Sequence, residues 1–262
     1  MSMACRKPQT LIAVVTQQRS GSKWVGSLIR HRYRTIALGE IFNPDDTSIL
    51  SFRSFLRDKA MGDLVGCDIS HHLSRYFNEI RTYLGMFYTF DAMFNQLDWI
   101  DFGWRNSNNS IYNYLLGNDD IVVSLIRDAR DIFISMKSLE ITKTAHFTSS
   151  TAQDFYVDLR ADHRIVVKHD EYERFRKQLQ DDRDRLSLTF AGRDNFIELQ
   201  YEDLVLDPEA AFKPLDQALR NFGDSIGHPL VDDISPFSNL IKTPVQYSKL
   251  IQNYDEVLSW PS

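Results

Sequence analysis

Cysteine is scarce. Cys5 and Cys67 are the only two in 262 residues. They stand far apart and without metal-ligand spacing, which excludes a disulfide framework and a cysteine-bound metal and points to a reduced compartment. A chain of this length buries enough apolar surface to need no such staple. Long apolar runs are missing too. Leu11–Val15 is far short of the ~20 residues of a membrane span or the core of a signal peptide, so a cytoplasmic chain without stable membrane insertion is expected. Excess positive charge is absent: 30 Lys and Arg stand against 36 Asp and Glu. A net charge of −6 argues against a nucleic-acid binder while leaving room for a local basic pocket. Internal repeats and low-complexity linkers are absent, so residues 1–262 are read as a single domain. The Walker pattern is also missing. No Gly stands five residues before Gly21, and Lys23 is followed by Trp24 rather than by a hydroxyl for magnesium, which disfavours a nucleoside-triphosphate enzyme of the usual kind.

What the chain does have is concentrated between Leu11 and Ile29. Leu11–Val15 is a short, β-branched apolar run that reads as a buried strand. Thr16–Gly21 breaks it with polar residues and a glycine, and Trp24, Val25, Leu28 and Ile29 follow at helical spacing. Strand, tight polar loop and helix start aim backbone N–H groups and the positive end of a helix dipole at an anion. Arg19, Ser20, Ser22 and Lys23 add two charges and two hydroxyls. The segment reads as a phosphate- or sulfate-cradling loop, or more simply as a polar strand-to-helix turn.

Further along, Thr35–Leu38 is a second strand, ending near Glu40. A carboxylate past the carboxyl end of a strand stands where open α/β sheets build their sites, although a surface turn is the simpler account of any one Glu. A helix is expected over Ser48–Ala60 and a third strand over Leu64–Ile69, followed by His71 and His72 as base candidates or ordinary loop residues. Tyr76–Trp104 is dense in aromatic rings and reads as a helical core segment or, extended over 76–116, as an acceptor-binding side of the molecule. Asp120–Ile126 is the second strong buried strand. It runs into Arg127 and then, capped by Asp128, into a helix that carries Ser135 about two turns on. Residues 141–161 are weakly periodic and read as a loop or lid. Asp170–Phe190 is an amphipathic helix, Asn195–Gln200 a strand, Asp207-Pro208 a helix start, and Val245–Asn253 a short helix. The alternation predicts a three-layer α/β/α domain with a mostly parallel central sheet, placing the first loop and Arg127 side by side at its carboxyl edge.

Together these segments resemble the sulfotransferases that use 3′-phosphoadenosine 5′-phosphosulfate (PAPS), whose fold is a P-loop-like nucleotide-binding fold. Thr16–Ser22 looks like that family's loop for the 5′-phosphosulfate. Ser124–Asp131, with Ser135 at the proper interval, looks like its 3′-phosphate motif. Tyr201-Glu202-Asp203-Leu204 followed by Asp207-Pro208 is a third family-like signature. Glu40 in Leu38–Asn43 is similar to the bacterial branch that sulfates trehalose or lipo-oligosaccharide nodulation factors, and Lys242-Thr243-Pro244 and Ile251–Glu256 look like that branch as well. Two departures stand out: Lys23 replaces a usual Thr or Ser, and Asp68 falls near a position that often carries Lys.

The resemblance implies donor contacts from Arg19, Ser20, Gly21, Ser22, Lys23, Trp24, Arg127, Ser135, Tyr201 and Lys242. It implies Glu40 as general base, with His71 or His72 as fallback, and Arg19 then Lys23 as stabilisers of transferring charge. The donor would be PAPS and the nucleotide product adenosine 3′,5′-bisphosphate, without a metal. The acceptor would be a hydroxyl of a glycan, glycolipid or other small molecule. Two other classes compete. A kinase-like phosphotransferase predicts magnesium dependence, and a degenerate nucleotide-binding protein predicts binding without turnover.

Overall fold

The computed structural model describes residues 11–46, 48–60, 69–84, 88–97, 110–118, 120–142, 164–226 and 246–261. Five strands, β1 (Leu11–Thr16), β2 (Ile36–Ala37), β3 (Tyr88–Met93), β4 (Ile121–Ile126) and β5 (Phe196–Gln200), form one sheet in the order β2-β3-β1-β4-β5. Every pairing is parallel. All strand carboxyl ends therefore open on one edge, and the connections carry the helices.

The strand residues show how the layers arise. Along β1 successive side chains point to opposite faces. Leu11, Ala13 and Val15 join one apolar cluster and Ile12 and Val14 the other. The first cluster takes α2 (Phe52–Phe55), α3 (Ile69–Leu84), α4 (Ser110–Leu116), α5 (Ala129–Thr142) and α6 (His169–Thr189). The second takes α1 (Ser22–Tyr33), α7 (Tyr201–Leu206) and α9 (Lys213–Ile226), with α8 (Pro208–Ala211) leading into it. Helices on both faces explain why all six β1 residues are buried and why the strand reads as an unbroken apolar run. The three-layer architecture is as the sequence predicts, and the parallel character is complete.

Several elements differ from the sequence reading. The Tyr76–Trp104 segment is not helical throughout, because Tyr88–Met93 is strand β3, the neighbour of β1. Its polar Thr89 and Asp91 are buried, a pattern that period and composition disguise. Ile69, expected to end a third strand, instead opens α3, so His71 and His72 ride on a helix. The remainder of that expected strand, 64–68, lies outside the described residues, as do Asp68, Lys242 and all of the expected lid beyond Thr142. The helix expected over Ser48–Ala60 is shorter at its start. Ser51 caps α2 by accepting from Ser54 N, and a π-helical turn, Leu56–Ala60, follows. Val245–Asn253 becomes a 3₁₀ turn, Tyr247–Lys249, with helix α10 (Tyr254–Leu258) after it. Asp207 caps α8 through Ala210 N at 3.1 Å, with Pro208 at the helix start.

A buried ion cluster locks α1 to α9. Arg32 donates to both carboxylate oxygens of Asp216, at 3.0 and 2.9 Å, and to Glu209 at 2.7 Å, while Tyr33 Oη donates to Asp216 at 2.7 Å. Removing Asp216 leaves the buried Arg32 with the half-exposed Glu209 as its carboxylate and takes the acceptor from Tyr33. Asp216→Ala is expected to lower stability by about 3–5 kcal/mol in a denaturant melt.

Candidate active site

The site is built where β1, β3, β4 and β5 end. Thr16 closes β1, and its hydroxyl donates to Leu125 O on β4 at 2.7 Å, fixing the root of the loop. The loop then turns through two left-handed residues, Arg19 (φ 70°) and Gly21 (φ 93°). Gly21 is demanded twice over, by its φ and by space: a Cβ there would lie 2.4 Å from Tyr201 Cε2. Its carbonyl accepts from Trp24 N and Val25 N, starting α1. No side chain caps α1 and its first turn holds no acid, so the positive end of its dipole is uncompensated by the helix's own residues. Ser20 is fully buried in this loop, and its hydroxyl has no partner among the described residues.

Arg127 enters from β4. Its Nη1 donates to Arg19 O at 3.1 Å, and Nη2 lies 3.4 Å from Asp131. Its guanidinium carbon sits 4.6 Å from the centre of the Tyr201 ring, and only 4 % of the residue is exposed. Tyr201, just past β5, packs edge-on against Trp24 at 5.4 Å. Ser135, on the second turn of α5, accepts from Arg19 Nε at 3.2 Å. The structure thus brings Arg19, Gly21, Trp24, Arg127, Ser135 and Tyr201 into one cluster. The two loops interlock: Arg127 holds the backbone of Arg19, and Arg19 holds Ser135.

Glu40 faces the same cluster from beyond β2. Its Oε2 accepts from Gln96 Nε2 at 2.9 Å. Burial pushes the Arg19 guanidinium below its usual pKa; Tyr247 opposes this, Arg127 adds to it, and Glu40 opposes it. Lys23 is exposed on α1, and Ser22 beside it is buried. His72 is wholly buried and His71 exposed, both on α3.

Three contributors escaped sequence reading. Gln96 orients Glu40. Arg183 on α6 donates to Arg127 O and so steadies the β4 tip. Asp91, in β3, lies under the loop with its carboxyl near Ser22, Lys23 and Glu40. The available signal was an acid inside an apolar strand, Phe90-Asp91-Ala92. A groove of about 800 Å³ opens beside Arg127, between the β4 and β5 tips and α6, with Arg174, Lys177, Arg183 and Glu202 on its walls. Among the described residues no group of three or more His, Cys, Asp or Glu could hold a metal, and no helix is long and apolar enough to cross a membrane.

No protein-family model matches the chain, and no curated protein matches it. Among solved structures it is similar to a mouse sulfotransferase complexed with PAP, at 12% identity over 97% of this chain and 68% of that one, with a TM-score of 0.37. It is also similar to a sulfotransferase from Alicyclobacillus acidocaldarius, at 15% identity over 89% of this chain and 87% of that one, with a TM-score of 0.40. A third is the sulfotransferase domain from the curacin biosynthetic pathway, at 11% identity over 96% and 87%, with a TM-score of 0.42.

Proposed function

We propose that this chain is a sulfotransferase that moves a sulfuryl group from PAPS to a hydroxyl of a carbohydrate or other small acceptor. The observation that carries the reading is the Arg19–Arg127 junction, where the Arg127 guanidinium from one strand tip donates to the backbone carbonyl of Arg19 on the other at 3.1 Å, beside an uncapped helix start and a flat aromatic ring. A nucleotide with phosphate on both sides of its ribose is the ligand such a pair suits.

In this reading Arg19 and the N–H groups of Ser20, Gly21 and Ser22 hold the 5′-phosphosulfate. Arg127, as a bidentate fork, and Ser135 take the 3′-phosphate, while Trp24 and Tyr201 wall the nucleoside. Lys242 belongs to the same proposed contact set. The acceptor oxygen attacks sulfur in line, the bond from sulfur to the bridging phosphate oxygen breaks, and adenosine 3′,5′-bisphosphate leaves. Glu40, aimed by Gln96, takes the hydroxyl proton, with His71 or His72 as the substitute base. Arg19, and Lys23 after it, stabilise the charge that develops on the leaving oxygen. The bacterial carbohydrate branch supplies the acceptor class, with residues 76–116 and 141–161 on the acceptor side. The two distant cysteines suit a cytoplasmic setting.

The test is a melting-temperature screen with PAPS, adenosine 3′,5′-bisphosphate, and ATP with magnesium. At a hundredfold excess over Kd, linkage of about 2.7 kcal/mol raises the melting point of a chain this size by ~5–10 °C. The sulfotransferase reading expects that rise with the first two ligands alone. A rise with ATP and magnesium alone supports the phosphotransferase instead. Binding without sulfated product supports a non-catalytic protein.

A further inference from the structure

Asp91 is a buried acid in the site to which the reaction as proposed gives no task. It lies within β3 opposite Val14 of β1, is 4% exposed, and has its backbone N–H bonded to Gly39 O at 2.8 Å. α1 faces it with Ser22, which hydrogen-bonds its carboxyl, with the ammonium of Lys23, and with Gly26, where a Cβ would lie 3.8 Å from Oδ1. The segment after β2 faces it with the carboxylate of Glu40. Two carboxyl groups and one exposed lysine thus share the floor of a loop shaped for an anion.

Burial, and then the neighbouring Glu40 charge, push the Asp91 carboxyl up to about 7, against weaker pulls from Ser22 and Lys23. A donor seated in the loop adds negative charge to the same water-poor space. Like charges at close range cannot all persist there, and the group already nearest neutrality takes the proton. A neutral carboxyl still accepts from Ser22 through its carbonyl oxygen, so the loop keeps its shape while the repulsion disappears.

We propose that Asp91 is a positioning residue whose carboxyl becomes protonated when the anionic nucleotide binds, carrying a proton into the site and leaving the negative charge of the pair on Glu40. This rests on the nucleotide-binding reading above and assigns the two carboxyl groups opposite roles, as paired acids in other environments divide them.

The test is calorimetric titration of adenosine 3′,5′-bisphosphate into wild-type protein and Asp91→Asn, in two buffers of different ionisation enthalpy. At about pH 8 the wild type takes up close to one proton more per nucleotide than the variant, and at about pH 5.5 the difference vanishes because Asp91 is already protonated. Over the upper range wild-type affinity falls by up to about tenfold per pH unit relative to the variant. Equal proton counts with binding intact overturn the role of Asp91 alone. No binding to either protein overturns the nucleotide reading and this proposal with it. If the variant does not fold, wild-type protein still decides: an infrared band of a neutral carboxyl that grows on adding the bisphosphate at about pH 8 supports the proposal, and an unchanged spectrum overturns it.

Discussion

Glu40→Gln is expected to lower kcat by about 10²–10⁴-fold while the affinity for adenosine 3′,5′-bisphosphate stays within a factor of about two. The amide keeps the size of the side chain and its place beside Gln96, whose Nε2 donates at 2.9 Å in the native protein. What it loses is the proton-accepting capacity that the proposed mechanism assigns to Glu40. In the proposed reading nucleotide contacts come instead from the β1 loop and the β4 tip, so kcat and donor binding are expected to separate. Steady-state assays with PAPS and trehalose or an aryl glycoside as acceptor measure the first, and titration of the bisphosphate the second. His71→Ala is expected to retain native turnover. Full activity in the Glu40 variant would move the base to another group.

Arg127→Ala is expected to weaken bisphosphate binding by about 10²–10³-fold, the scale at which removal of one member of a desolvated charge pair is felt. Two observed contacts go, the donation to Arg19 O and the contact with the Tyr201 ring, together with the proposed fork on the phosphate. Arg127→Lys keeps the charge but not the planar fork and is expected to restore only part of the affinity. The clearest readout is discrimination between PAPS and adenosine 5′-phosphosulfate, which lacks the 3′-phosphate. Native protein prefers PAPS, and the Ala variant binds the two nearly alike. An unchanged preference would remove Arg127 from the donor site.

Much of the frame is legible in the residues because burial writes itself into composition. Leu11–Thr16 and Ile121–Ile126 are covered on both faces, so they read as apolar runs, and the helix starts at Asp128 and Asp207 carry their own caps. β3 hides because it carries the buried polar residues Thr89 and Asp91 among its apolar ones, a mixture that no periodicity rule reads as a buried strand. The arginines of the loop and of the β4 tip are visible from their positions after strands. Their interlock through Arg19 O and Ser135 is not, since it depends on how the two tips sit across the sheet. His71 and His72 illustrate the reverse error: adjacent polar residues suggest a loop, whereas the apolar faces of α3, with Leu73, Tyr76, Phe77 and Ile80 buried, make a helix.

The strand order bears on how the molecule comes together in time. β1 finds one neighbour near residue 88 and the other near residue 121, so neither edge of this central strand is satisfied until much of the chain has been made. Pairings so remote in sequence close slowly. Until both have formed, the turn after Thr16 lacks its tether to Leu125, so on the proposed reading nucleotide affinity is expected to appear late on the folding time course.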